Sequence, residues 1–140
     1  MTMQPGIHGI LETSLYVDDL DRSAGFYKSL FGSTELVRDD RLCALSLGDD
    51  QVLLLFKKGA SQRPGITDGG TIPGHDGHGD LHMALAIPAN EVDSWRTRLK
   101  SLEIEIESTV HWPSGGTSLY FRDPDNHSIE LATPGTWEIY

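Results

Sequence analysis

The chain has 140 residues, 21 acidic and 11 basic, which gives a formal net charge of −10 at pH 7. Such a charge disfavours binding to nucleic-acid phosphates or to anionic membrane surfaces. The composition, 38% hydrophobic and 23% charged, is typical of one folded domain over 1–140, and no apolar run is long enough to cross a membrane. The lone cysteine, Cys43, excludes an internal disulfide and a multi-thiolate metal site, and it fits a cytoplasmic protein.

The first half, about 8–58, has the pattern of a β-α-β-β-β unit. Apolar and polar residues alternate from Gly9 to Val17, which predicts a half-buried strand. An amphipathic helix should follow, beginning at Asp18 and Asp19 and ending at Gly32. Three further strands are predicted, over 34–39, 42–48 and 51–57.

A glycine-rich segment, 59–80, separates the two halves and holds seven glycines and two prolines. Its length predicts a functional loop rather than a tight connection. His75 and His78 in this loop form the spacing H-x₂-H-x₃-H with His82, which would suit a metal clip. The glycine-rich surroundings favour instead a polar, mobile loop that closes over a substrate.

The second half, about 81–134, repeats the order of the first. A strand over 81–87 precedes a helix whose apolar face carries Val92, Trp95, Leu99 and Leu102. Three more strands are predicted, over 103–110, 117–122 and 127–132. Repetition of a whole supersecondary unit predicts an α+β fold with two βαβββ modules.

Strand alternation places three ionisable side chains on the face opposite the helices: Glu12, His82 and Glu130. A carboxylate in that position is unfavourable unless it is paired or metal-bound. A divalent cation would neutralise both carboxylates, His82 would add a nitrogen ligand, and open positions would remain for water or substrate. The structural alternatives are pairing of Glu130 with Arg122 or a backbone amide, pairing of Glu12 with an arginine, and an ordinary polar role for His82.

Three segments together resemble the vicinal oxygen chelate superfamily, which groups glyoxalase I, bleomycin-resistance proteins, fosfomycin-resistance enzymes and extradiol dioxygenases. They are V-D-D-L-D-R-S-A-G-F-Y-K-S-L-F-G (17–32), L-H-M-A-L-A-I (81–87) and Y-F-R-D-P-D-N-H-S-I-E-L (120–131). The resemblance implies that the two modules form a cup-shaped mixed sheet around a divalent ion, which the substrate chelates through adjacent oxygens. By matching positions, it implies Glu12, His82 and Glu130 as the ligands.

Two departures from the family pattern narrow these implications. The position of Glu12 is often His in the family, and the fourth ligand position of glyoxalase I falls near Leu53 or Leu54, which cannot bind metal. Glyoxalase I itself is therefore disfavoured. A Glu-His-Glu set favours a hard ion such as Mn²⁺ or Mg²⁺, with Fe²⁺, Zn²⁺ and Ni²⁺ as further candidates.

The sequence thus predicts a divalent-metal-dependent lyase, isomerase or ring-cleaving dioxygenase that acts on a small molecule. Glu130 and Tyr120 are the candidate catalytic residues: a metal-bound carboxylate can move a proton, and the phenol can hydrogen-bond a substrate oxygen. The alternative is a metal-free protein of the bleomycin-resistance type, which sequesters a small ligand. A homodimer is expected, with the cup formed within one chain or by Glu12 of one subunit with His82 and Glu130 of the other.

Overall fold

The computed structural model describes residues 3–140, which form two α-helices and ten strands. Eight of the strands belong to two successive β-α-β-β-β units, and the other two form a hairpin between the units. The first unit consists of β1 (Glu12–Val17), α1 (Leu20–Phe31), β2 (Glu35–Arg38), β3 (Leu42–Leu47) and β4 (Gln51–Lys57). A hairpin of β5 (Gly65–Thr67) and β6 (Gly70–Ile72) follows. The second unit consists of β7 (His82–Ala86), a 3₁₀ turn (Ala89–Glu91), α2 (Val92–Ser101), β8 (Ser108–His111), β9 (Thr117–Arg122) and β10 (Ser128–Ala132).

Each unit forms its own four-stranded mixed sheet. The strand orders are β1-β4-β3-β2 in the first sheet and β7-β10-β9-β8 in the second. The β1–β4 and β7–β10 pairs are parallel, and the other pairs are antiparallel. The predicted α+β fold with an internal repeat is therefore confirmed.

Helix α1 has the ends that the sequence predicts. The Asp19 side chain accepts a hydrogen bond from the backbone N–H of Arg22 at 3.1 Å and so caps the first turn. Gly32 adopts the left-handed conformation, φ 65°, and its N–H donates to the Lys28 carbonyl. Glycine suits this C-terminal geometry because it has no Cβ to clash at positive φ.

One face of each sheet packs against the helices in a shared hydrophobic core. The core side chains alternate along the strands, as at Leu15 and Val17 in β1 and at Ile129 and Leu131 in β10, all at most 2% exposed. We call the opposite face the helix-free face of each sheet. By alternation it carries Glu12 and Tyr16 in the first sheet. In the second sheet it carries His82, Ser118, Tyr120 and Glu130.

The two units are joined by contacts between α1 and the second half. The Tyr27 hydroxyl donates to Asp123 Oδ2 at 2.6 Å, and Arg98 Nε donates to the Leu30 carbonyl at 2.8 Å. Both bonds fix the position of α1 against the second sheet and α2. Neither helix within residues 3–140 has the length and hydropathy needed to cross a membrane.

Two strands begin several residues later than predicted. β1 begins at Glu12 rather than at residue 9, and β8 begins at Ser108 rather than at residue 103. The residues before β8 end helix α2 instead: Glu103 has φ 58°, and the N–H of Ile104 bonds back to the Leu99 carbonyl. Apolar alternation before β8 reflects packing of Ile104 and Ile106 on the core, and backbone bonding to β9 begins only at Glu107, whose N–H donates to the Tyr120 carbonyl.

Segment 59–80 is not the plain loop that its composition predicts. It contains the β5–β6 hairpin, whose three-residue strands pair Gly65 with Ile72 and Thr67 with Gly70. Four of the six residues in these short strands are glycine or threonine, so the strands carry no hydrophobic alternation that would predict them.

Candidate metal centre

His82 and Glu130 meet on the helix-free face of the second sheet. Strand β10 lies between β7 and β9, and its register places Ser128 opposite His82 and Glu130 opposite Tyr120. His82 Nε2 lies 3.2 Å from Glu130 Oε1. The sheet therefore brings together two of the three predicted ligands.

The hydrogen bond on the other nitrogen of His82 defines what Nε2 can do. Nδ1 lies 2.9 Å from the Ser128 carbonyl, which can only accept, so Nδ1 carries the hydrogen. In the neutral ring Nε2 is then an acceptor, and it faces a carboxylate oxygen that is also an acceptor. This arrangement requires a proton or a cation between the two atoms.

The separation of these two atoms fits a shared metal ion. Two ligands at about 2.1 Å from one divalent ion, at roughly a right angle, lie about 3 Å apart. Imidazole nitrogen with carboxylate oxygen suits Mn²⁺, Fe²⁺, Zn²⁺ or Ni²⁺. A histidine held through Nδ1 by a backbone carbonyl is the usual arrangement of a metal-binding imidazole.

The carboxylate of Glu130 is oriented by two side chains behind it. Glu130 is 7% exposed, and its Oε2 accepts a hydrogen bond from Ser118 Oγ at 2.5 Å. Ser118 Oγ in turn accepts from Trp112 Nε1 at 2.8 Å. The bond from Ser118 leaves Oε1 to face His82. Ser118 was not among the predicted site residues, although strand alternation places it on the same face as Tyr120.

Arg122 does not pair with Glu130. Its guanidinium donates to Glu107 Oε2 and to the Asn126 carbonyl, each at 3.1 Å. Tyr120 lies beside His82 and Glu130. Its ring is stacked on that of His82, with centroids 6.3 Å apart. Burial, and then the Glu130 carboxylate, raise the pKa of Tyr120, so the phenol stays protonated next to that carboxylate.

Glu12 is not part of this cluster within the chain. It is exposed at the first residue of β1 and lies opposite Val52 in the first sheet. Across residues 3–140, no group of three His, Cys, Asp or Glu side chains has the geometry to hold a metal.

The face that carries His82 and Glu130 is open. The His82 side chain is 51% exposed. Two depressions elsewhere on the described surface, of about 510 and 560 Å³, are lined by other residues, the first beside Glu103 and Arg122 and the second along α1 and β2.

Two other histidines, His127 and His75, lie away from this pair. His127 is buried in the β9–β10 turn, where its Nδ1 lies 2.8 Å from Asp123 Oδ2. Strand alternation also places His127, three residues before Glu130, on the opposite face of the sheet. His75 lies on the helix-free face of the first sheet, where its Nδ1 is 2.8 Å from the Tyr16 hydroxyl.

Comparison with known proteins gives one family. The model of the Glyoxalase/Bleomycin resistance protein/Dioxygenase superfamily matches residues 9–131. The fosfomycin resistance protein FosX of Listeria innocua serovar 6a is 32% identical over 129 residues, which cover 89% of each protein. The metallothiol transferase FosB of Shouchella clausii is 26% identical over 129 residues, covering 91% of this chain and 81% of FosB.

Solved structures agree with that assignment. A lactoylglutathione lyase from Agrobacterium tumefaciens superposes with a TM-score of 0.86 at 35% identity, over 96% of this chain and 99% of the lyase. A FosX variant from Listeria monocytogenes, solved with Mn(II) and 1S,2S-dihydroxypropylphosphonic acid, shares the fold with a TM-score of 0.65 at 23% identity, over 90% of each chain. The chain therefore belongs to the glyoxalase/bleomycin resistance/dioxygenase superfamily, the vicinal oxygen chelate superfamily that its motifs resemble.

Proposed function

We propose that the protein is a divalent-metal-dependent enzyme acting on a small molecule that binds the metal through adjacent oxygens. One observation carries the proposal. His82 Nε2 and Glu130 Oε1 face each other at 3.2 Å while the bond from His82 Nδ1 to the Ser128 carbonyl leaves Nε2 as an acceptor. A divalent ion satisfies both atoms at once.

His82 and Glu130 would hold the ion, with Glu12 of the partner subunit as the third ligand in a homodimer. The exposure of both Glu12 and His82 within one chain supports a cup completed across two subunits. A bound divalent ion supplies Lewis-acid stabilisation of negative charge on substrate oxygens.

The chain's own residues prepare the site for this chemistry. Ser118 and Trp112 hold Glu130 Oε2, so that the other carboxylate oxygen keeps one direction. Tyr120 keeps its hydrogen on Oη near neutral pH, because the ordinary pKa of a phenol is 10.0 and burial, then the Glu130 carboxylate, raise the pKa of Tyr120 further. It therefore serves as a hydrogen-bond donor to a substrate oxygen.

The names of the relatives favour an addition or elimination reaction for this protein over an oxygenation reaction. Their names include a lyase and a metallothiol transferase, alongside fosfomycin resistance proteins. We therefore place the lyase or transferase type first, and the ring-cleaving dioxygenase type second. Assays with S-lactoylglutathione, with fosfomycin plus a thiol, and of oxygen uptake with catechol separate these reaction types.

Metal analysis of untagged protein tests the proposal directly. We expect close to one divalent ion per chain by elemental mass spectrometry, and its loss in His82→Ala and Glu130→Ala. Ser108→Ala is the matched control: this serine lies on β8 opposite Tyr120, is exposed, and should leave the metal content unchanged.

Metal-free protein that shows no thermal shift with Mn²⁺, Fe²⁺, Zn²⁺, Ni²⁺ or Mg²⁺ would contradict the proposal. A protonated His82 paired with Glu130 would then satisfy the two facing atoms. Because no third metal ligand lies near His82 and Glu130 within residues 3–140, that result would favour the alternative function, a metal-free protein that binds a small ligand.

A further inference from the structure

The glycine-rich segment places an imidazole on the helix-free face of the first sheet. Tyr16 and Phe56 lie opposite each other on β1 and β4, with ring centroids 5.9 Å apart. The His75 ring packs edge-on against both, with centroids 4.6 Å from Phe56 and 5.9 Å from Tyr16. His75 is thus a docked part of this face rather than a residue of a detached loop.

Backbone contacts hold His75 in this position. Its N–H donates to the Ser61 carbonyl, and Ser61 Oγ donates to its carbonyl, both at 2.8 Å. The neighbouring glycines are required for the approach: a Cβ at Gly77 would clash with the Tyr16 ring, and a Cβ at Gly74 with a backbone carbonyl. The glycine content of the segment therefore has a packing reason.

The hydrogen bond to Tyr16 determines which nitrogen of His75 is free. Tyr16 is 9% exposed, and its hydroxyl has no partner within residues 3–140 other than His75 Nδ1, at 2.8 Å. Donation from the hydroxyl to Nδ1 satisfies both groups and leaves the hydrogen on Nε2. Burial, and then the Asp76 carboxylate, raise the pKa of Tyr16, which keeps the hydroxyl a donor.

Nε2 of His75 is an unused donor. No hydrogen bond within residues 3–140 involves Nε2, and the residue is exposed, so a ligand can reach it. It lies at the other end of β1 from Glu12: Tyr16 is four residues further along, about 13 Å between Cα atoms. A ligand that contacts His75 must therefore extend well beyond the metal-binding oxygens.

The surroundings of His75 define the kind of ligand part that fits there. The strand residues on this face are aromatic, aliphatic or small and polar apart from Glu12, and no lysine or arginine lies among them. They are Glu12, Ser14, Tyr16, Val37, Leu42, Ala44, Ser46, Val52, Leu54 and Phe56. The Asp76 carboxylate, next to His75 in the chain, is close enough to raise the pKa of Tyr16 and would repel an anion. Such a face suits an uncharged group with an acceptor oxygen.

We propose that His75 Nε2–H binds an acceptor oxygen, such as an amide carbonyl, in an uncharged and largely apolar part of the substrate. This part lies on the order of 10 Å from the metal-binding oxygens, given the strand rise. The inference rests on the proposed metal-dependent function, because the helix-free face lines a substrate cup only in that case. His75 is accordingly a specificity residue for long substrates.

Two hydroxamates, which chelate a metal through adjacent oxygens, test this inference on the metal-loaded protein. Acetohydroxamate reaches only the metal, whereas suberanilohydroxamate carries an amide carbonyl at the far end of an uncharged chain. We expect His75→Phe to weaken binding of the long probe about 5- to 10-fold, as loss of one hydrogen bond implies, and to leave the short probe unchanged. Phenylalanine keeps the ring packing on Phe56.

His78→Phe is the matched control, since His78 lies in the same segment and, within residues 3–140, makes neither a hydrogen bond nor a ring contact with Tyr16. Both probes should bind this variant as they bind the wild type. Nitrogen-15 NMR of the free protein should show His75 with its hydrogen on Nε2. Equal weakening of both probes in His75→Phe, no weakening of either, or a hydrogen on Nδ1 would overturn the inference while the proposed function stands. Failure of both probes to bind wild-type protein would instead contradict the proposed function.

Discussion

At the scale of single residues, the orientation of the Glu130 carboxylate depends on Ser118, which is not itself a proposed metal ligand. Strand alternation predicts that Glu130 and His82 share a face, because side chains of a strand alternate with a period of two. It does not predict the 2.5 Å bond from Ser118 to Glu130 Oε2, which depends on the β9–β10 register. The orientation of a ligand is thus decided by cross-strand neighbours.

Replacement of Ser118 tests this role. Because Ser118→Ala removes the donor that fixes Oε2, we expect metal affinity to fall about 10- to 100-fold, as is usual when the partner of a ligand is lost. Chelator competition measures the affinity, and circular dichroism checks that the variant is folded. Ser108→Ala should keep wild-type affinity. An unchanged affinity in Ser118→Ala would mean that Ser118 only fills space beside Trp112.

At the scale of elements, most of the fold could be predicted because its signals are local. The caps of α1 at Asp19 and Gly32 require only neighbouring residues, and the strands that pack on the core alternate clearly. The sequence did not predict where β8 begins, because pairing with β9 decides that residue. It did not predict the β5–β6 hairpin either, because that hairpin has no hydrophobic pattern.

The contact of α1 with the second unit gives a prediction about stability. Tyr27 donates to Asp123 Oδ2 at 2.6 Å, so Tyr27→Phe should lower the free energy of unfolding at pH 7 by about 1.5–3 kcal/mol, the range for a hydrogen bond to a charged group. Urea unfolding measures this loss. The variant should remain folded, since the ring still fills its place in the core.

The same contact has a pH dependence of definite sign. Burial, and then Asp123, raise the pKa of Tyr27 in the folded protein well above its ordinary value of 10.0. The contribution of Tyr27 to stability is therefore complete below about pH 10 and is lost as the pH rises above that value. Between pH 9 and 11 the wild type should lose stability more steeply than Tyr27→Phe. Identical slopes for the two proteins would contradict the prediction.

At the scale of the whole molecule, the third ligand decides whether the site belongs to one chain or two. We expect neither Glu12→Gln nor Glu130→Gln to bind metal tightly as a homodimer. A heterodimer of the two variants would contain one intact site, with Glu12 from one subunit and Glu130 from the other. Differently tagged variants, co-expressed and purified as heterodimers, should therefore hold one ion per dimer.

A cup formed within one chain predicts the opposite result, because every chain of that heterodimer would lack one ligand. Heterodimers without metal would therefore contradict the cross-subunit site. Heterodimers of wild type with Glu130→Gln are the control, since they retain one complete site in either arrangement.

The sequence by itself determined the repeated β-α-β-β-β order, the α+β class and the faces on which Glu12, His82 and Glu130 lie. These properties follow from short-range patterns of burial and capping, which each segment carries on its own. Only the tertiary structure decided that His82 and Glu130 lie 3.2 Å apart, that Ser118 orients the carboxylate, and that His75 docks on Tyr16. Each of these contacts joins residues through strand register or loop packing, which depend on partners distant in the chain.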